Sequence, residues 1–349
     1  MGESAQLMVK EGTESRQRAR IGVLIPYFQR EAGLLHRALS SVAAQDHRPV
    51  RVVVVDDGSP HPAAEEITPE LHDAVPGLTV ILRANRGIAA ARNAALDALT
   101  RDVSAVALLD SDDYWEPSHL RHAAAALSLG ADFFFSNSRF EGAAGDYFQT
   151  RPRLQQCDLL GSGGAAPDAP PVGEWRAGAS ALISRGLPFQ TSTVVFRRAV
   201  SPELRFSLEF RRAGEDHAFI WELLTRSAVI MFCTEATHVI GSAGIGVWRN
   251  STFDTPAGLI RVADELRWRR RLLSHPLLSP GDRRLMRDSI ALRRREALAS
   301  TLHLLRRRQN VASELAYLLR SDPTCAASWV VDLPKLLLTK ASSRSFTED

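Results

Sequence analysis

The chain reads as an α/β protein: a mainly parallel, doubly wound sheet flanked by helices, with a helical extension at the C-terminal end. Three observations predict this. Short β-branched runs alternate with segments of helical periodicity between residues 20 and 136, as in strands joined by crossover helices. One such run, Val106-Ala107-Leu108-Leu109, stops abruptly in Asp110-Ser111-Asp112-Asp113, and ligands bind beyond the carboxyl ends of strands in open α/β sheets. From residue 257 on, the pattern is helical and rich in arginine.

Each element has its own signal. Residues 1–19 are polar and unpatterned, a lead-in expected to be disordered. Ile21 to Pro26 is a short strand stopped by proline. Leu34, Leu35, Ala38, Leu39, Val42 and Ala43 recur at helical spacing over 33–45. Val50 to Val55 is a second strand, and Asp56-Asp57-Gly58-Ser59-Pro60 after it makes a tight turn on the same sheet edge as Asp110. A helix over 62–75 and a strand over 78–82 lead to Asn85-Arg86-Gly87. Asn85 is placed to cap the next helix, and Gly87 lets the backbone approach a ligand closely. Arg92 is either a solvated surface cation or a group that holds phosphate or carboxylate. A strand over 105–109, a helix over 116–129 and a strand over 131–136 complete the alternation.

Residues 141–175, including Gly161 to Pro167 and Pro170-Pro171, have no period and read as a flexible lid or a disordered segment. Thr193 to Phe196 and Val229 to Cys233 are further strands. Gly214-Glu215-Asp216-His217 opens an amphipathic helix whose apolar face is Phe219, Ile220, Leu223 and Leu224. The acids there are either a dipole-favoured first turn or a general base at a cleft wall. His238, taken alone, is a packed or surface residue. Gly241 to Arg249 is a glycine-rich loop read as mobile. Helices are expected over 257–273, 281–307 and 310–320.

Length and composition set limits. The 349 residues suit one large α/β domain, placed at 20–250, and a basic helical region at 251–349. The formal net charge of +3 is too small to imply a nucleic-acid partner. It conceals 18 Lys+Arg against 10 Asp+Glu from Ala257 to Asp349. The clusters Arg269-Arg270-Arg271, Arg293-Arg294-Arg295 and Arg306-Arg307-Arg308 fit two readings: solvated helix faces, or attraction to anionic lipid or a phosphate-rich acceptor, with Trp329 to Val331 and Leu336 to Leu338 dipping into an interface. Cysteines 157, 233 and 325 are far apart and form no Cys-x-x-Cys, which predicts reduced thiols in a cytoplasm. The first twenty residues lack the apolar core of a signal peptide, and no run reaches the roughly 18 apolar residues of a membrane span. Neither G-x-G-x-x-G after the first strand nor G-x-x-x-x-G-K-[S/T] occurs, against a dinucleotide oxidoreductase and a P-loop ATPase.

Carboxylates crowded at a strand end repel one another, and either a hard divalent cation or a donor-rich ligand would neutralise them. A plain helix N-terminus is the simpler reading of the same residues. The order and spacing of several motifs decide between them. Ile25-Pro26-Tyr27-Phe28, Val55-Asp56-Asp57-Gly58-Ser59, Asn85-x-Gly87-x-x-x-Ala91-Arg92-Asn93, Leu109-Asp110-Ser111-Asp112-Asp113 and the later Gly214-Glu215-Asp216 together resemble the family-2 glycosyltransferases of the Rossmann-like GT-A fold. The likeness covers roughly 20–250, leaving the helical tail outside.

The resemblance implies an inverting, metal-dependent transfer of one sugar from a nucleotide-diphosphate sugar, most simply a UDP-sugar, to a carbohydrate or lipid-linked hydroxyl in bacterial surface polysaccharide or glycolipid synthesis. Pro26 and Tyr27 would line the base, with Asp57 and Asp56 hydrogen-bonding it, and Asn85 and Arg92 bordering the pocket. Asp110, beside Ser111, would face the ribose and the metal, Asp112 would bind Mn²⁺ or Mg²⁺, and Asp113 would support it. His238 stands where some members add a metal ligand. Asp216 would be the catalytic base, supported by Glu215. Phe28-Gln29 departs from the family, which usually has an asparagine there. The implied location is the cytoplasm, with peripheral attachment at the inner membrane face if the basic helices meet lipid. The competing reading is a catalytically silent module that binds nucleotide sugars or scaffolds a membrane assembly.

Overall fold

The computed structural model describes residues 19–149, 171–175, 179, 182, 187–242 and 251–338, without the side chains of 334–338. Residues 1–18 of the expected lead-in, Gly161 to Pro167, Cys157 and most of the glycine-rich loop after Ser242 lie outside these residues. The chain divides into two compact units: Met1–Gly178 with Leu187–Leu204 and Glu222–Gly244, and Ala179–Gly186 with Arg205–Trp221 and Ile245–Asp349.

The first unit holds a nine-stranded mixed sheet of order β3-β2-β1-β4-β8-β6-β9-β5, with β7 paired to β9. The strands are β1 Ile21–Tyr27, β2 Arg51–Asp56, β3 Leu78–Leu82, β4 Ala105–Leu108, β5 Tyr114–Trp115, β6 Phe133–Phe140, β7 Val172–Glu174, β8 Val195–Arg197 and β9 Ile230–Ile240. The half β3-β2-β1-β4 is wholly parallel, as its near-continuous apolar strands require: β1 and β4 are buried along their whole length. Helices α1 Leu34–Ala43, α2 Pro69–Ala74, α3 Ile88–Ala98 and α4 His119–Ser128 flank it. Leu35, Leu39 and Val42 of α1 pack with Val23 and Ile25 of β1 in the core.

Helix starts show local chemistry at work. Thr68 caps α2, its hydroxyl accepting from the Leu71 amide, with Pro69 at the first helical position. At α1 the partner comes from elsewhere in sequence: the buried Glu66 carboxylate accepts from the amides of Gly33 and His36, an anion placed at a helix N-terminus. Asn85 does not cap α3; the cap residue is Gly87, at φ 89° and without a side-chain bond, a backbone conformation that favours glycine.

Two expectations about loops change. The stretch 141–175 is not featureless at its ends, because β7 pairs antiparallel with β9 and Tyr147 and Phe148 are buried. The strand expected to stop at Cys233 runs on to Ile240, so His238 sits within β9 rather than after it. Its polar residues Thr237 and His238 concealed the continuation, and both are buried against hydroxyl partners.

In the second unit, α6 Pro256–Leu273, α7 Pro280–Arg306, α8 Ala312–Ser321 and α9 Cys325–Leu338 match the expected helices and add one more. Ser279 and Asp282 form a capping box at α7. Most of the arginines in two clusters turn inward. Arg270 and Arg294 converge on the fully buried Asp322, and Arg269 and Arg293 pair with the buried Glu265. Neither solvated faces nor lipid contact accounts for them: here the buried carboxylates are offset by paired cations. Of the three clusters, only Arg306-Arg307-Arg308 is exposed throughout. Among the described residues no helix is long and apolar enough to cross a membrane.

Candidate active site

The carboxyl ends of β2, β1 and β4 lie side by side, since Tyr27 pairs with Asp56 and Leu24 with Leu108. The expected acids therefore meet at one edge, but they are differently engaged. Asp56 is buried, and its two oxygens accept from the amides of Ser59 and Ala63 at 2.7 and 2.8 Å; it builds the turn. Asp57 is buried too. It accepts from the amides of Arg86 and Gly87 and pairs with Arg83 at 3.1 Å, tying the end of β2 to the start of α3. Pro26 is buried, and Tyr27, 1% exposed, belongs to the core with its hydroxyl 3.4 Å from Glu66. Asn85 is exposed.

Arg92 is no solvated cation. It is 2% exposed and donates to Asp110 at 2.7 Å. Gln29, where the motif departs from the usual asparagine, is buried; its amide nitrogen donates to the Ser111 hydroxyl and its backbone to Ser59. The longer side chain thus joins the first turn to the acidic one.

Asp110 to Asp113 form the turn after β4. Asp113 is its most connected member. Its Oδ2 accepts from the Ser192 hydroxyl at 2.7 Å and lies 3.0 Å from His238 Nε2, and its Oδ1 accepts from the Gly241 amide. His238 Nδ1 lies 2.9 Å from Ser138 Oγ. Burial pushes the Asp113 carboxyl up, but the His238 charge and these hydrogen bonds outweigh it and hold it below the usual range. Asp112 stands in the opposite condition. Burial, then the like charges of Asp113 and Asp110, push its carboxyl up to about 7. Arg37 reaches only its carbonyl, at 2.9 Å, while binding Glu141 at 2.7 Å. Glu141 also accepts from the Ser242 amide and hydroxyl, which brings its carboxyl down to about 2.

The sequence marks Gln29 only as a departure from the family motif, and it does not mark Ser192, Arg37 or Glu141. Thr191-Ser192-Thr193 before a strand was the one visible signal; the others act across 75 to 104 residues of chain.

In the second unit, Gly214 adopts φ 94°, and a Cβ there would lie 2.7 Å from Trp268 Cδ1. Only glycine suits both conditions. Glu215 and Asp216 follow in the first turn of α5 Glu215–Arg226. Asp216 Oδ1 accepts from the His217 amide and lies 3.0 Å from His217 Nδ1. Burial pushes the imidazole down, but Asp216 outweighs it and raises it overall. The His217 ring stacks on Trp268. The approach to this turn is fixed by Asp264, fully buried on α6: its Oδ2 accepts from the amides of Arg211, Arg212 and Ala213, and its Oδ1 from the Tyr317 hydroxyl.

The chain is similar to several known proteins. A family model described as glycosyl transferase family 2 matches residues 22–164. The succinoglycan biosynthesis protein ExoW of Rhizobium meliloti is 30% identical over 239 residues, 68% of this chain and 73% of that protein. An uncharacterized glycosyltransferase of Nostoc sp. is 39% identical over 102 residues, 29% of this chain and 31% of that one. Among solved structures, residues 1–349 of S. aureus TarS in complex with UDP-GlcNAc match with TM-score 0.60 and 16% identity, over 95% of this chain and 94% of that one. The mannosyltransferase PcManGT of Pyrobaculum calidifontis, in complex with GDP-Man and Mn²⁺, matches with TM-score 0.55 and 16% identity, over 97% and 90%. At such identities the structural likeness is one of fold.

Proposed function

Because the chain belongs to glycosyl transferase family 2, we propose that it moves a sugar from a nucleotide-diphosphate sugar to a hydroxyl of a carbohydrate or lipid-linked acceptor, with inversion, in the synthesis of a surface polysaccharide. The relative active in succinoglycan biosynthesis supports the polysaccharide, and the fold neighbours bound to UDP-GlcNAc and GDP-Man support the donor class.

One observation carries the reading: at the ligand-binding edge of the sheet, burial and the charges of Asp113 and Asp110 push the Asp112 carboxyl up to about 7, and among the described residues no cation pairs with its carboxylate. A divalent cation fits that shortage of positive charge. The turn offers no closed cage, because among the described residues the one trio of His, Cys, Asp or Glu with ligand atoms all within 4.8 Å lies elsewhere. That suits Mn²⁺ or Mg²⁺, which take one or two carboxylates and complete their shell with phosphate oxygens and water. Asp112 would hold the ion, with Asp110 beside it and His238 within reach of Asp113; the ion would neutralise the departing diphosphate. Asp57, Asn85 and Arg92 border the nucleotide, and Asp110 takes the ribose. Asp216 accepts the acceptor hydroxyl's proton as that oxygen attacks, and Glu215 supports it.

The test is a thermal-shift screen of UDP- and GDP-sugars with and without Mn²⁺, on wild type and Asp112→Ala. A metal-dependent rise in melting temperature, lost in the variant, is expected, since a ligand that binds only the native state stabilises it. Absence of any shift with every donor would refute the donor assignment.

A further inference from the structure

The first unit carries a second group of metal-ligating side chains, away from the acidic turn. His122 on α4 and Cys233 and Glu235 on β9 each offer an atom, and the three lie within 4.8 Å of one another. His122 Nδ1 is 3.5 Å from Cys233 Sγ and 3.7 Å from Glu235 Oε2. Bonds to zinc of about 2.0 Å from nitrogen and oxygen and about 2.3 Å from sulfur, at tetrahedral angles, separate ligand atoms by about 3.3–3.6 Å. The two separations from His122 are close to those values, and the Cys233 and Glu235 ligand atoms lie within 4.8 Å of each other.

Backbone irregularity puts them there. Pairing of β6 with β9 shifts register next to Cys233: Ser136 faces Cys233 but Asn137 faces Ala236. Thr234 and Glu235 are therefore extra residues, and a bulge of this kind re-aims a side chain. Cys233 and His122 are buried, whereas the Glu235 side chain is 55% exposed, which leaves an entry path from solvent.

We propose that His122, Cys233 and Glu235 form a zinc site with water in the fourth position. The proposal does not rest on the donor-sugar reading. As the ion enters, the Cys233 S–H bond breaks, the proton leaves to solvent and the thiolate pair forms the metal–sulfur bond. A thiolate with an imidazole selects zinc over the hard Mn²⁺ and Mg²⁺ suited to Asp112. The ion would clamp α4 to β9, the strand that also carries His238.

The full chain, freed of metal by a chelator, is titrated with Co²⁺ as a coloured substitute for Zn²⁺. A thiolate-to-cobalt charge-transfer band is expected to saturate at one equivalent and to vanish on adding Zn²⁺. The band should persist in Asp112→Asn and be lost in Cys233→Ser. Glu235→Gln, a change at an exposed position, should weaken binding by roughly tenfold or more, as loss of even an outer-shell partner does. No band in the wild type, or an undiminished band in Cys233→Ser, overturns the site. Should Cys233→Ser fail to fold, Glu235→Gln decides, and unchanged affinity there overturns it.

Discussion

Removing the Asp264 carboxylate should loosen the segment that delivers Glu215 and Asp216. Asp264 is 0% exposed, and one of its oxygens accepts from three consecutive amides, at 3.0, 2.7 and 3.3 Å. The other accepts from Tyr317. In Asp264→Ala those donors lose a charged acceptor, each such bond being worth about 1.5–3 kcal/mol. Part of the loss is recovered, because burial raises the Asp264 carboxyl and that cost disappears with it. A net local loss of about 3 kcal/mol follows, which speeds hydrogen exchange at the amides of 211–213 by roughly a hundredfold. Tyr317→Phe removes one bond to the same charged acceptor and should cost about 1.5–3 kcal/mol. The two changes should be non-additive, because the residues share a contact. The assay is hydrogen exchange by mass spectrometry over 209–218, beside turnover of the full chain. Exchange in Asp264→Ala within about threefold of wild type, a difference below 1 kcal/mol, would refute the argument that Asp264 anchors this loop.

Other perturbations have definite outcomes. Arg92→Ala should destabilise the chain by about 1–3 kcal/mol in urea unfolding, because it strips the buried partner from Asp110, whose own side chain is 29% exposed; Arg92→Lys should recover part of that. Gly214→Ala combines left-handed backbone with a 2.7 Å clash against Trp268 and should cost about 2–4 kcal/mol, measured the same way. His217 should titrate above the ordinary histidine value by NMR, and Asp216→Asn should bring it down, since Asp216 is what raises it. With the folded value raised, the stabilisation from this pair is complete at pH below the unfolded histidine value and is lost as pH rises through the folded one.

The sequence by itself determined the fold class, the parallel half of the sheet and the position of the acidic turn. These are local properties: β-branched runs of five or six residues, helical spacing between them, and carboxylates directly after a strand. It also located Arg92, though not its burial. What each acid does was decided only in three dimensions. Asp56 and Asp57 look alike in sequence, yet one closes a turn and the other holds the start of α3. Asp112 and Asp113 are adjacent, yet one is pushed up by crowding and the other held down by His238. Their fates depend on groups that arrive from far along the chain: Ser192, 82 residues from Asp110, Gly241, 128 residues from Asp113, and His238 on a strand whose polar residues hid its extent. The arginines of α6 and α7 make the same point. Composition marks them as surface charge, but Asp322 and Glu265 draw them inward, because a buried carboxylate is costly unless it is paired or fully hydrogen-bonded. Charge type is written in the sequence; the solvation that sets its chemistry belongs to the packed structure.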